Sequence, residues 1–137
     1  MKTLIALAAL ALTAGCAASA EQDDIARADG ETRLAAELRD HRQSGDPVSC
    51  VNLRTLGGNR SVGENAIIFG SPGGRLFVNR PPAGCPVLRH GRALNVRTTT
   101  SQLCRGDIVS VFDPVNGIEY GSCGLGDFTP YERRRVG

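Results

Sequence analysis

Four cysteines, Cys50, Cys85, Cys104 and Cys123, divide the C-terminal two thirds of this chain at gaps of 34, 18 and 18 intervening residues. That spacing limits what can hold the fold together. A structural zinc site draws its ligands in close pairs, because one tight turn must fill two of four tetrahedral positions. No pair here is close, so no metal-ligand set is expected. The missing Cys-x-x-Cys also removes a thioredoxin-like redox role. Two disulfides are the natural reading. The chain has no Trp, four Phe and two Tyr, so its core is modest and covalent staples are needed to supplement it. Three pairings are open to four cysteines. Cys85–Cys104 and Cys50–Cys123 are expected, the second joining the first and last strands. Closing the segment between Cys85 and Cys104 contributes about 3 kcal/mol in the chain-entropy picture.

Disulfides require an oxidising compartment, and the N-terminus supplies the route. Lys2 is the only charge before Glu21, and an apolar run from Leu4 to Leu12 gives way to small residues. This is the layout of a secretory signal and is too short in its strongly apolar part to span a membrane. Two processing sites are open. Leu12-Thr13-Ala14-Gly15-Cys16 resembles a bacterial lipobox, which would make residues 1–15 the signal and Cys16 a lipidated N-terminus. Ala18-Ser19-Ala20 would instead end a signal of residues 1–20. The lipoprotein is favoured. Either way the fifth cysteine leaves the pairing problem.

Residues 21–46 carry eight acids against four arginines, a net charge of −4, and read as a polar tether. Helix formers concentrate between Glu31 and Arg42, with Gly45 as a stop. The apolar stripe, Leu34 and Leu38, is narrow, so this helix is expected to bury little. Residues 47–137 carry six acids against eleven arginines, a net charge of +5.

From Asp46-Pro47 onward, turn signals recur at short intervals and β-branched residues rise, the rhythm of an all-β sandwich or barrel. Strands are predicted within Val48–Leu53, Asn65–Phe69, Leu76–Val78, Ala93–Thr98, Ile108–Phe112 and Ile118–Ser122. Ser71-Pro72-Gly73-Gly74 suits a type II turn, and Asn116-Gly117 a tight hairpin. The expected architecture is a disulfide-stapled barrel-like or sandwich domain of five to six strands over residues 47–131, followed by a basic tail at 132–137.

Four segments carry a resemblance: Cys50-Val51-Asn52, Gly84-Cys85-Pro86-Val87-Leu88, Leu103-Cys104-Arg105-Gly106-Asp107-Ile108, and Cys123-Gly124-Leu125-Gly126-Asp127-Phe128-Thr129-Pro130. In the order and surroundings of its cysteines, residues 47–131 resemble a family of short exported proteins of Gram-negative bacteria known as a domain of unknown function. The resemblance implies a shared fold and an envelope location. It implies no activity, cofactor or site.

The remaining candidates for chemistry are few. His41 lies in the tether and His90 in a loop, and no Gly-x-Ser-x-Gly elbow presents a serine to either. Asp107, Asp113, Glu119 and Asp127 include residues that could form an acid/base pair, but turn and edge duties are commoner for aspartate. Arg105-Gly106-Asp107, the sequon Asn59-Arg60-Ser61 and the Gly70–Gly74 segment carry no function in this context: the first is too short to be specific, the second needs host machinery, and the third lacks a Gly-Lys-Ser/Thr ending. Arg133-Arg134-Arg135 could touch anionic headgroups.

The expected function is a non-enzymatic envelope module that binds or supports another component. It would sit in the periplasm or on the outer membrane facing the periplasm, with the membrane reached through the possible lipid anchor. Neither nucleic acid nor a small-molecule cofactor is expected. One alternative is a small envelope enzyme built on His90, Asp107, Asp113 and Asp127. The other is an anionic-surface binder, which requires the arginines to gather on one face.

Overall fold

The structure, a computed structural model, describes residues 3–89 and 91–137, with side chains described from residue 19 onward. The possible lipidation at Cys16 and the histidine proposed as a base, His90, therefore fall outside the described side chains.

A helix α1 (Thr3–Glu37) precedes ten strands, all paired antiparallel. A five-stranded sheet has the order β1 (His41–Gln43), β10 (Phe128–Arg133), β5 (Arg75–Asn79), β4 (Ala66–Ser71), β3 (Gly58–Val62). A three-stranded sheet has the order β6 (Ala93–Asn95), β8 (Ile108–Phe112), β9 (Glu119–Gly124), and β2 (Cys50–Asn52) pairs with β7 (Gln102–Cys104). The all-β class and the two staples hold. The count is ten strands rather than five or six, because β1, β3, β7 and β10 fall outside the predicted segments: β1 and β7 are only three residues long and leave almost no periodicity to read, β3 opens on a glycine, and β10 contains a proline.

The run Ala66-Ile67-Ile68-Phe69 shows how the layers form. Alternate side chains in a strand face opposite ways, and all four are buried. Ile67 and Phe69 point into a main core with Leu94, Val109, Val111 and Phe128, while Ala66 and Ile68 join a second core with Val62, Val78 and Leu34 of α1. The five-stranded sheet is thus the middle layer, covered by the smaller sheets on one face and by the helix on the other. Phe69 meets Phe128 edge to face at 5.6 Å between ring centroids, the arrangement favoured by the ring quadrupoles.

Side chains and short bridges close the gaps between sheets, giving a barrel-like wrap. The Asn59 amide accepts from Leu94 N at 2.8 Å and donates to Leu94 O at 3.2 Å, and Ser61 N donates to Arg92 O at 3.2 Å, joining β3 to β6. Val48 and Phe128 exchange both backbone bonds at 2.9 Å. Pro130 sits inside β10, a placement that normally argues against a strand. Its carbonyl accepts from Ser44 N at 3.0 Å, so its missing donor faces the end of the short β1 rather than β5.

Both predicted turn segments form loops, but only the first places its glycine as expected. Gly73 has φ 78° and ψ 16° after Pro72, the left-handed conformation that favours glycine. Asn116-Gly117 forms no two-residue hairpin. Gly117 N instead donates to Asp113 O at 2.8 Å, closing a four-residue loop whose Asp113 side chain accepts from Val115 N at 2.8 Å.

The disulfides are Cys50–Cys104 and Cys85–Cys123, not Cys85–Cys104 and Cys50–Cys123. The topology explains the correction. The first of the predicted strands, β2, pairs with β7 in a register that sets Cys50 directly opposite Cys104, the position from which cross-strand side chains meet. Cys123 is opposite Val109 within the β8–β9 hairpin, and both point into the core, where Cys85 is also buried.

The tether is not a solvated spacer along its whole length. Leu34 is only 2% exposed. Gly30 allows a contact no stripe of leucines reveals: a Cβ on Gly63 would lie 2.5 Å from Gly30 Cα, so the backbones touch. Arg60 bonds Glu37 at 2.7 Å, and Arg80 clamps Glu31 through both carboxylate oxygens. That hydrogen bonding holds the Glu31 carboxyl below its ordinary range, against the opposing effect of burial. Leu34→Ala is expected to cost about 2–4 kcal/mol of stability, measured by urea unfolding, and to speed amide exchange over residues 27–38.

Candidate functional site

The four acids singled out in the sequence do not converge. Asp107 and Asp113 stand at opposite ends of β8, so six residues at about 3.3 Å each put them about 20 Å apart. Asp107 accepts from Cys104 N at 2.7 Å, and Asp107 N returns a bond to Cys104 O at 3.1 Å across the turn at Gly106. Asp113 shapes the β8–β9 loop, and Asn116 Nδ2 also donates to it at 3.2 Å. Asp127 faces Arg105 at 3.4 Å, and Glu119 is exposed at the start of β9. These acids organise turns and surface pairs. His41 lies on β1 with its Nδ1 buried and without a hydrogen-bond partner. Among the described residues no three His, Cys, Asp or Glu side chains gather as a metal site.

The widest concave surface lies elsewhere, at the end of the fold where β3 begins and β4 turns into β5; two separate clefts along the helix, of 410 and 340 Å³, are lined by Glu37 and Asp40 and by Asp23 and Glu64. Asn52 caps the short 3-10 turn Leu53–Thr55 by accepting from Arg54 N at 2.9 Å. Ser71 Oγ donates to Thr55 O at 3.0 Å and Gly57 N to Gly70 O at 2.9 Å, pinning this turn beside the β4–β5 loop. Three adjoining clefts result. The first, 190 Å³, is lined by Leu53, Leu56, Phe69, Leu94 and Val96 over Gly58 and Asn59. The second, 450 Å³, shares Gly58 and Asn59 and continues past Arg60 to Ser71 and Pro72. The third, 550 Å³, shares Ser71 and Pro72 and ends at Arg75 and Phe77. The groove therefore runs from an apolar notch to Arg75, and among the described residues no carboxylate or imidazole lines it.

The arginines are not spread evenly in their partnerships. Arg60, Arg80 and Arg105 are ion-paired, Arg92 lies over the Tyr120 ring at 3.5 Å, and Arg134 donates to His41 O at 3.1 Å. Arg134 also bonds Asp40 O through its backbone at 2.8 Å, so the basic segment begins tied to the fold; β10 itself runs to Arg133, past the expected boundary at 131. Arg54, Arg75 and Arg97 are exposed and have no ion pair among the described residues, and of the three only Arg75 lines the groove. Arg133 lies beside the β4–β5 loop, its Nε 3.7 Å from a Cβ built on Gly74. The arginines do not share one face, and Arg89 and Arg135, also exposed, do not line the groove.

Sequence reasoning passed over this groove. Its signal was present in composition: residues 47–106 contain eight arginines and one acid, Glu64. Glu64 lies just beyond β3 at the opposite end from Gly58; the carboxylates near the groove come from outside this stretch, Glu37 on Arg60 and Glu132, which follows the Leu76 partner Tyr131 and so lies level with Arg75. Comparison with family models, with characterised proteins and with solved structures finds no match to this chain.

Proposed function

We propose that this chain is a non-enzymatic module of the bacterial cell envelope that binds another envelope component. It is exported by its N-terminal signal and either lipidated at Cys16 or released into the periplasm by cleavage before Glu21. One observation carries the non-enzymatic reading: among the described residues the widest groove is lined without a general base, while Asp107, Asp113 and Asp127 lie outside it in turns and an ion pair. The hydroxyls of Ser71 and Thr55, which line it, each donate to a backbone carbonyl and have no base beside them among the described residues to activate them, as nucleophilic catalysis would need. The two disulfides suit an oxidising, exported setting. The cysteine surroundings that resemble a family of exported proteins add to the same reading.

The test is intact mass of protein purified from its native envelope, with and without reductant, followed by in-cell crosslinking. The expected result is a mature N-terminus at acylated Cys16 or at Glu21, a gain of four hydrogens on reduction of the two disulfides, and a crosslinked envelope component. An uncleaved leader with unpaired thiols contradicts the compartment. Turnover of a bound molecule contradicts the non-enzymatic reading.

A further inference from the structure

We infer that the Cys50–Cys104 bridge is a thiol–disulfide exchange site, opened by a dithiol without unfolding the domain, and that its opening frees residues 50–57 at the edge of the apolar notch. The inference does not depend on what the module binds. The bridge sits where such chemistry reaches it. Arg105 N donates to Ser49 O at 2.7 Å and Leu53 N to Ser101 O at 2.9 Å. Hydrogen-bonded pairs of an antiparallel ladder alternate with non-bonded ones, so Cys50 and Cys104 form a non-hydrogen-bonded pair between them. Their side chains face away from Val51 and Leu103, which turn into the main core. Cys50 is exposed and Cys104 half-buried, whereas Cys85 is 1% exposed.

A thiolate of the dithiol therefore attacks Cys50 Sγ in preference to the inner bridge. A new sulfur–sulfur bond forms to Cys50, the bond to Cys104 breaks, and Cys104 leaves as a thiolate that takes a proton from water. The second thiol of the attacking molecule, losing its proton, closes onto its own first sulfur and releases Cys50. Two electrons and two protons enter the protein, and the dithiol departs as a disulfide. What remains holds the strands. Val51 and Leu103 are buried in the core, the two flanking backbone bonds do not involve the sulfurs, and Val48 bonds Phe128 both ways at 2.9 Å. The segment after β2 is held less firmly. Leu53 and Leu56 are only partly buried at the rim of the 190 Å³ notch, and beyond Leu53 the turn is fastened by Ser71 Oγ on Thr55 O and Gly57 N on Gly70 O. Few buried apolar contacts and exposed hydrogen bonds are the marks of a segment that opens locally, and the bridge is the covalent restraint just before it.

The mature protein is equilibrated with graded mixtures of reduced and oxidised dithiothreitol, quenched, alkylated and mapped by peptide mass. Cys50 and Cys104 are expected to become labelled while Cys85 stays joined to Cys123, with an unchanged circular dichroism spectrum. In that half-reduced state, amide exchange over residues 50–57 is expected to quicken at least about tenfold, with residues 66–71 and 108–112 unchanged. C50S/C104S is expected to show the fast exchange without reductant. The chain has no Trp, so L56W places a single fluorophore at the notch; its emission is expected to move to longer wavelength on reduction and to return on reoxidation. Opening of both bridges together, or loss of the dichroism spectrum with the first, overturns the exchange site. Selective opening with unchanged exchange over residues 50–57 overturns the freed segment. Should either variant fail to fold, labelling and exchange of the unaltered protein decide the matter. A crosslinked envelope component found alongside any of these failures leaves the module reading intact.

Discussion

Converting Cys85 and Cys123 together to alanine is expected to lower the unfolding free energy by about 4–5 kcal/mol, more than the same change at Cys50 and Cys104. The bridges span 38 and 54 residues, and loop closure alone assigns each about 4 kcal/mol. The difference comes from position. Cys85 and Cys123 are 1% and 9% exposed within the main core beside Leu88 and Leu125, so truncation also removes packing that the neighbours only partly refill. Cys50 is exposed on β2, and its loss leaves no void. Urea unfolding of the two double variants checks the order. The same reasoning orders reduction: under native conditions a thiol reductant is expected to open Cys50–Cys104 first, with Cys85–Cys123 shielded until the domain opens. Equal stability of the two variants would mean that the buried bridge adds nothing to its neighbours' packing.

Asn79→Ala is expected to cost about 3–5 kcal/mol, a large effect for one polar residue. Asn79 is fully buried, and its amide donates to Gly126 O at 2.7 Å while accepting from Gly126 N at 2.9 Å. Truncation leaves both backbone groups of a buried residue unsatisfied, at about 1–3 kcal/mol each, together with a side-chain-sized gap. No other residue type takes over easily, since Gly126 itself has no room to move: a Cβ there would meet Arg80 O at 2.3 Å. Asn79→Asp keeps one acceptor but buries a charge or a proton, and is expected to fall between wild type and Asn79→Ala at acidic pH and to be worse at neutral pH. Thermal unfolding of the three proteins at two pH values reads this out. Asn79→Ala with wild-type stability would mean that Gly126 finds other partners.

The residues that announced themselves in the sequence are those whose burial follows a short period. Ile108–Phe112 became β8 with unchanged bounds, and Leu94 turned inward with Asn95 outward as its alternation required. Asn65–Phe69 read as a strand beside the Pro72-Gly73 turn, and its Ala66–Phe69 run is apolar on both faces, which is what a middle layer demands. What escaped was set by partners distant in sequence. β10 contains a proline, and only the short β1 beside it makes that tolerable. Helix docking depends on Gly30 meeting Gly63, and absence of a side chain leaves no hydrophobic pattern. The disulfide pairing follows from which strand lies beside β2, a matter of topology that cysteine spacing does not encode. The candidate site shows the same divide. The acids were visible as residue types, but their hydrogen bonds to Cys104 N and Val115 N were not. The groove drew its lining from the turn at Leu53–Thr55, from β4 and from β6, and only the acid-poor stretch around it was legible beforehand.

Disulfide mapping bears most directly on the architecture, because both the wrap of the sheets and the exported compartment depend on which sulfurs are joined. Protein recovered from its native envelope fraction, alkylated without reduction and digested, should yield crosslinked peptides containing Cys50 with Cys104 and Cys85 with Cys123, and no alkylated cysteine from residue 50 onward. Peptides joining Cys85 to Cys104 or Cys50 to Cys123, or labelling of all four thiols, would contradict the fold described above.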